Sequence, residues 1–235
     1  MKGRIFVAGA TGAVGKPLCQ LLVADGWRVT GSTRKPGRGN ELRALGVEPV
    51  IVDVFDAESL RAAVNAAWPD VVIHQLTDLP PALDPTQMEA GRARNARIRE
   101  EGTRNLVAAA VGAGAKRMIA QSIAFAYAAA GTPPYREDAP LDPAARAVAS
   151  LEQQVLAAPL VGIVLRYGRF YGPGTGFDKP AAGGAVHVEA AADAARRAVT
   201  RGAQGVYNVA EPGEALSSAK ANADLAWTSD FRIAH

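Results

Sequence analysis

One cysteine in 235 residues, no apolar run near the length of a membrane span, and a formal net charge of only +3 narrow the field at the outset. A lone Cys19 cannot build an internal disulfide framework, so a reducing compartment, the cytoplasm, is the expected location. Its setting, Pro17-Leu18-Cys19-Gln20-Leu21-Leu22, reads as a packed helix position rather than a reactive thiol. The opening Met1-Lys2-Gly3-Arg4 and Ile5-Phe6-Val7-Ala8 resemble a signal peptide only superficially, because the apolar run is short and Gly9, Gly12, Gly15 and Lys16-Pro17 interrupt it. No membrane partner is expected. The small net charge gives no reason to expect a nucleic-acid partner without a basic groove. Arg92, Arg94, Arg97, Arg99 and Arg104 form a basic cluster, but Glu89, Glu100 and Glu101 are interspersed, so it reads as the solvated side of a helix. No metal site, internal repeat or low-complexity tract is called for.

What is present is a hydrophobic content of 49%, sufficient for a substantial core, distributed in short runs. Ile5–Ala8, Trp27–Thr30, Val47–Val52, Val71–Ile73, Arg117–Ala120, Val161–Arg166 and Val206–Val209 read as strands. Segments of helical period separate most of them. Leu18, Leu21 and Leu22 share a face before Gly26; Leu60, Val64 and Ala67 do so before Pro69; Ile98, Leu106, Val107, Ala110 and Val111 do so before Gly112 and Gly114. Strands alternating with helices require parallel pairing through crossovers, so the expected fold is α/β: a doubly wound parallel sheet of about seven strands with helices on both faces. Pro80–Gly91 and Gly131–Pro143 lack periodicity and read as surface loops able to cap a ligand crevice.

Immediately after the first strand comes Gly9-Ala10-Thr11-Gly12-Ala13-Val14-Gly15, opening a helix. The first glycine permits a tight turn, the second lets backbone approach a pyrophosphate, and the third lets helix and strand pack closely. The helix N-terminus then offers free N–H groups and partial positive charge to phosphates. At the end of the second strand, NAD sites usually place an acid for the ribose 2′-hydroxyl. This chain has Ser32-Thr33-Arg34-Lys35, with Arg38 close behind, and an arginine fork suits a 2′-phosphate. NADP is therefore the expected cofactor, with NAD as the alternative. Asp53-Val54, after the third strand, is placed to border the adenine.

Later phrases carry a resemblance. Gly102-Thr103-Arg104-Asn105-Leu106-Val107, Ala120-Gln121-Ser122 followed by Tyr127, Leu165-Arg166-Tyr167-Gly168-Arg169-Phe170-Tyr171-Gly172-Pro173-Gly174, Val186-His187-Val188-Glu189 and Gly205-Val206-Tyr207-Asn208-Val209 resemble landmarks of the extended short-chain dehydrogenase/reductases of the NAD-dependent epimerase/dehydratase type. The resemblance implies a Rossmann domain over 1–170 and, over 171–235, the last sheet strand with a reduced substrate lobe, or a single intertwined domain. It implies a small organic or sugar-nucleotide substrate, and the chain is expected to be a monomer or homodimer. Carried over residue by residue, it places the cofactor on Gly9, Thr11, Gly12, Ala13, Val14, Gly15, Thr33, Arg34, Lys35, Asp53, Val54, Gln75, Leu76, Thr77, Gln121 and Tyr167. His74 beside them reads as a wall of the pocket.

The departure lies in the chemistry. The family's base is a tyrosine followed four residues later by a lysine, itself four before a glutamate. If Glu152 is that glutamate, Val148 stands for the lysine and Ala144 for the tyrosine, and no other Tyr-x-x-x-Lys occurs in the chain. Ser122 lies five residues before Tyr127 where the family's serine lies four before, so Ile123 takes that place. Ser122 and Tyr127 are the catalytic candidates, with Tyr135 and Tyr167 as further phenols. A cation such as Arg166 would be needed to lower a phenol's pKa. The expected activity is an NADP-dependent oxidoreductase or epimerase-like reaction; the alternative is an inactive NADP-binding redox sensor or regulatory module. Only eleven residues separate Gly174 from Val186, and few separate Asn208 from Leu225-Ala226-Trp227. A rudimentary lobe, or one with segments missing from this sequence, is expected there.

Overall fold

A computed structural model describes residues 2–80 and 83–234. Its centre is a seven-stranded, all-parallel sheet in the order β3-β2-β1-β4-β5-β6-β9. The strands are β1 (Arg4–Ala8), β2 (Arg28–Thr33), β3 (Glu48–Ile51), β4 (Val71–His74), β5 (Arg117–Ile123), β6 (Val161–Tyr167) and β9 (Gly205–Val209). Each contains or overlaps a run read as a strand from the sequence. A separate parallel ribbon pairs β7 (Arg169–Tyr171) with β8 (Ala185–His187). The intervening helices are α1 (Gly15–Ala24), α2 (Gly39–Ala44), α3 (Ala57–Ala67), α4 (Met88–Arg97), α5 (Thr103–Gly112), α6 (Arg146–Ala157), α7 (Val188–Ala198) and α8 (Ala219–Leu225).

The strands are apolar at nearly every position because both sheet faces are covered. In β1 the period of two sends Ile5 and Val7 to one face and Phe6 and Ala8 to the other. The first face packs with Leu18, Leu22, Ile73, Ile163 and the alanines of α7; the second packs with Leu60, Val64, Leu106, Met118 and Val155. Helix α7 lies against α1, and its alanines allow that approach. Fully buried Asp193 accepts from Arg196 and Arg197, and Arg196 reaches across to Asp25 beyond α1. The Trp227 indole donates to the Ala190 carbonyl at 2.8 Å, tying the last segment down. Among the described residues, no separate helical domain follows Gly174: β9 completes the main sheet and α7 covers it.

Two readings need correction. The stretch Pro80–Gly91 is not loop throughout. Asp84 caps a 3₁₀ turn by accepting from the Thr86 N–H at 3.0 Å, and α4 begins at Met88; residues 81 and 82 of this stretch lie outside the described residues. The basic cluster is also not uniformly solvated. A π-helical segment, Ile98–Gly102, joins α4 to α5 and inserts an extra residue per turn. Arg92 and Arg99, seven apart, would share a face in an unbroken α-helix; here Arg92 stays exposed and Arg99 turns partly inward. Gly131–Pro143 is a loop, pinned by isolated bridges Tyr127–Leu141 and Tyr135–Leu216.

Candidate cofactor and active site

The ligand crevice of an open parallel sheet lies beyond the carboxyl ends of its strands, where the strand order reverses. Here the reversal falls between β1 and β4. A cavity of about 270 Å³ opens there, lined by the ends of β1, β2 and β4 and by residues following β3.

The glycine loop is held by its own geometry. Gly9 has φ of +85°, a left-handed conformation that favours glycine, and a side chain there would meet the Gln75 carbonyl oxygen at 2.6 Å. A side chain on Gly15 would run into the Gly9 carbonyl oxygen. The Gly12 N–H donates to Gly9 O at 3.0 Å, and Lys16 and Leu18 donate back to Gly12 and Val14, starting α1 toward the cavity. Gly9, Thr11 and Gly12 line the cavity, as do Thr33, Arg34, Lys35, Val54, Gln75, Leu76 and Thr77. The remaining expected residues are not among its lining. Ala13, Val14 and Gly15 lie at the start of α1; Asp53 accepts from the Phe55 N–H at 3.0 Å; Gln121 sits on β5; Tyr167 is fully buried.

The lining residues missed from the sequence as site residues include Phe55, Leu79, Ile98 and Asp78. Asp78 faces the end of β2 and takes Arg34 at 3.3 Å and Arg94 at 3.4 Å. Arg38, also lining, forms two hydrogen bonds with Glu41, at 2.9 and 3.0 Å. Arg38 and Lys16 together hold the Glu41 carboxyl down to about 2. The Arg97 guanidinium covers the ring of Phe55, which lines the cavity, at 3.9 Å from its centroid. Only the aromatic Phe55 beside Asp53-Val54 signalled any of this in the sequence.

At the cavity, Gln75 is a polar group that the fold leaves open. It is buried, it lines the cavity, and neither its amide nitrogen nor its amide oxygen has a hydrogen-bond partner among the described residues. Such a pair costs roughly 1–3 kcal/mol for each unsatisfied group, so a bound ligand that pairs with it gains that much. His74, behind it, is buried with Nε2 at 3.1 Å from Thr103 Oγ1, and Nδ1 accepts from the Leu76 N–H. Burial pushes its pKa down to about 4, so the ring is neutral; expected as a wall of the pocket, it is not among the residues lining the cavity.

The ends of β5 and β6 are built differently. Ser122 Oγ donates to Glu152 Oε1 at 2.7 Å. Arg166 grips both oxygens of Glu152, at 2.9 and 2.7 Å, and donates to the Tyr127 hydroxyl at 2.9 Å. Tyr127 in turn donates to Asn208 Oδ1 at 2.6 Å. All five are buried. Burial raises the Tyr127 pKa, and Arg166 and Asn208 only partly offset it. Tyr135 stacks on Tyr127 with centroids 5.2 Å apart and donates to Gly131 O at 3.1 Å. The Tyr167 hydroxyl donates to Ala191 O at 3.1 Å, close to Gln75 but outside hydrogen-bond geometry with it; burial pushes its pKa up. Neither Ser122 nor Tyr127 is among the residues lining the cavity. Ala144 lies exposed just before α6, and Val148 is buried within that helix.

Cys19 is buried, and burial pushes its thiol up to about 12, in keeping with a packed position. No group of three or more His, Cys, Asp or Glu among the described residues could hold a metal ion. No described helix is long and apolar enough to cross a membrane.

A parallel sheet with a glycine-rich turn leading into a helix at its switch point defines a dinucleotide-binding Rossmann protein. The chain belongs to the NAD(P)H-binding family, whose model matches residues 9–203. It is 47% identical over 183 residues to a 3-diazoavenalumate denitrifying reductase of a Streptomyces species, covering 74% of this chain and 58% of that protein. It is 45% identical over 69 residues to a 2-alkyl-3-oxoalkanoate reductase of Shewanella oneidensis, 29% of this chain and 17% of that one. The matches thus span little more than half of the first relative and a small part of the second. Among solved structures, UDP-glucose 4-epimerase of Thermotoga maritima with UDP-glucose aligns with a TM-score of 0.79 at 18% identity, covering 97% of this chain and 94% of that one. The UDP-glucose 4-epimerase of Thermus thermophilus with NAD aligns at 0.77 and 20%, covering 98% and 95%. At these identities the likeness is one of fold: the α/β architecture is that of the epimerase/dehydratases.

Proposed function

We propose that this protein is an NADPH-dependent reductase of a small, electron-poor organic substrate, and that it works without a side-chain proton donor to a carbonyl oxygen. The observation that carries the reading is the contrast between an equipped cofactor cavity and the empty slots at Ala144 and Val148, with the nearby hydroxyls of Ser122 and Tyr127 already committed to Glu152, Arg166 and Asn208.

The residues present fit the cofactor. The glycine turn leaves backbone room for a pyrophosphate, and Gln75 has two unmet hydrogen-bonding atoms. Arg34, Lys35 and Arg38 bring three cations to the end of β2, where a 2′-phosphate would sit. Asp78 holds Arg34 at a distance typical of a loose, half-exposed pair, which a phosphate can displace. This supports NADP over NAD.

The reductase that shares nearly half of the matched sequence is named for a diazo substrate and for loss of nitrogen. Bound NADPH would supply a hydride to the terminal nitrogen of an aryl diazonium, giving an aryldiazene that loses N₂ and leaves the arene, so that no carbonyl oxygen has to be protonated. Leu76, Leu79 and Ile98 would exclude water from the pocket, while the glycine turn and Gln75 position the reacting parts. In this reading Ser122 and Tyr127 act by holding the ends of β5 and β6 against α6.

The test is NADPH oxidation with an aryldiazonium salt, with the rate above the uncatalysed background measured alongside arene and N₂ release. One arene formed per NADPH consumed supports the reading. Turnover of ordinary ketones in preference to the diazonium would contradict the acid-free part. The commitment of every described phenol near the site also favours a second reading, a binding module. Tight NADPH binding with no turnover of either substrate class would select it.

A further inference from the structure

Three cations line the cavity at the end of β2: Arg34, Lys35 and Arg38. Among the described residues of that lining, Asp78 is the one carboxylate. It does not come from β2, where NAD proteins carry their acid. It comes from the segment after β4, across the point where the strand order reverses.

Asp78 is held from two directions. Its N–H donates to Oδ1 of buried Asn95 on α4 at 3.2 Å, which fixes its backbone beside that helix. Its Oδ2 meets both terminal nitrogens of Arg34, each at 3.3 Å, and Nε of Arg94, also on α4, at 3.4 Å. These distances exceed the roughly 2.7–2.9 Å of a close charge-assisted pair. Arg38, by contrast, is held by Glu41 through two hydrogen bonds at 2.9 and 3.0 Å. Of the two arginines in the lining, Arg34 is therefore the one that a stronger anion takes more readily. Asp78 then keeps Arg94, which is not among the lining residues. Because Asn95 and Arg94 hold Asp78 beside α4, its charge stays next to whatever anion Arg34 binds.

We propose that Asp78 sets the cofactor selectivity of the cavity: its carboxylate competes with the 2′-phosphate of NADP for Arg34. Arg94 is the positioning residue that neutralises Asp78 once the phosphate has taken Arg34. The assignment deepens the NADPH reading and rests on it for the ligand. Like charges side by side oppose each other, so the acid weakens NADP binding, whereas NAD, with a 2′-hydroxyl, meets no such opposition.

The experiment titrates NADP and NAD by calorimetry into the wild type, Asp78→Asn, Arg94→Ala and the double variant. Asp78→Asn keeps the backbone donor to Asn95 and should tighten NADP by about threefold to fivefold, the scale of a half-exposed ion pair. NAD affinity should stay within about twofold. Arg94→Ala should weaken NADP by a similar factor and leave NAD within about twofold. In the Asp78→Asn background the same Arg94 substitution should change neither cofactor by more than about twofold, since Arg94 acts through Asp78. NADP binding unchanged or weakened in Asp78→Asn overturns the proposal, and so does an equal shift for both cofactors, the mark of a merely structural residue. A loss on Arg94→Ala that persists in the double variant overturns the positioning role, because Arg94 would then act on the phosphate itself. Arg34→Ala separates this from the cofactor reading. If it removes an NADP preference that Asp78→Asn leaves untouched, the Asp78 assignment alone falls. If the wild type has no NADP preference and Arg34→Ala moves both cofactors alike, the NADP reading falls and takes the assignment with it.

Discussion

At the end of β2, Arg34 and Asp78 are half-exposed and loosely paired, whereas at the ends of β5 and β6 the charged groups are buried and closely partnered. Arg34 reaches Asp78 at 3.3 Å with both side chains open to solvent; Arg166 reaches Glu152 at 2.7 Å with both side chains 6% exposed. The two arrangements use the same residue types for opposite purposes. A loose pair keeps a cation in place until a stronger anion arrives. A buried pair held by several hydrogen bonds ties two strands and a helix together.

The largest effect expected from breaking the contrast is at Glu152. Glu152→Gln leaves the Arg166 guanidinium buried without its carboxylate and should cost about 3–5 kcal/mol in urea unfolding, since removing one partner strands the other. A loss below about 1 kcal/mol would mean that the β5–β6 network is not a structural clamp. Next is His74. Its folded pKa near 4 lies below the ordinary 6.5 because burial opposes protonation. Between those values the unfolded chain takes up a proton that the folded chain refuses. Stability is therefore full above about pH 6.5 and falls as pH drops toward about 4, by on the order of 3 kcal/mol. Unfolding midpoints measured from pH 7 to 4.5 should show that slope, and His74→Asn should flatten it.

At the other end of the sheet, Arg34→Ala should weaken NADP binding by about 1.5–3 kcal/mol, the worth of a hydrogen bond to a charged group, and leave NAD binding nearly unmoved. Equal losses for both cofactors would show that Arg34 does not read the 2′-phosphate. The smallest effect is at Tyr127. Tyr127→Phe unpairs Arg166 and Asn208 partially and should lower stability by about 1 kcal/mol while turnover changes less than about tenfold. A fall in kcat of about 10²–10⁴-fold with an unchanged melting temperature would instead make Tyr127 a proton donor.

The strands and the glycine turn were legible because their signals are local: mostly apolar runs of three to six residues, and glycines three apart between a strand and a helix. Arg34 was legible for the same reason, being next to the strand it ends. Its partner Asp78 was not, because 44 residues separate the two and only the sheet order brings β2 and the end of β4 to one cavity. The partner of Ser122 was hidden for a similar cause. A serine at a strand end next to a crevice has the composition of a catalytic group, and only the fold shows that its hydroxyl donates to Glu152, 30 residues on. Arg99 was hidden among exposed arginines, since helical periodicity assigns it to the solvated face until a π-helical segment breaks the register. The β7–β8 ribbon escaped notice because three-residue strands carry too little periodicity to read.

The account turns on the end of β2 being a phosphate-reading surface rather than a patch of solvated charge. Calorimetric titration of NADP and NAD into the same wild-type preparation tests this most directly. The account predicts that NADP binds at least about tenfold more tightly, with the difference shrinking as salt is raised because it is carried by half-exposed cations. Equal affinity, or a preference for NAD, would contradict it.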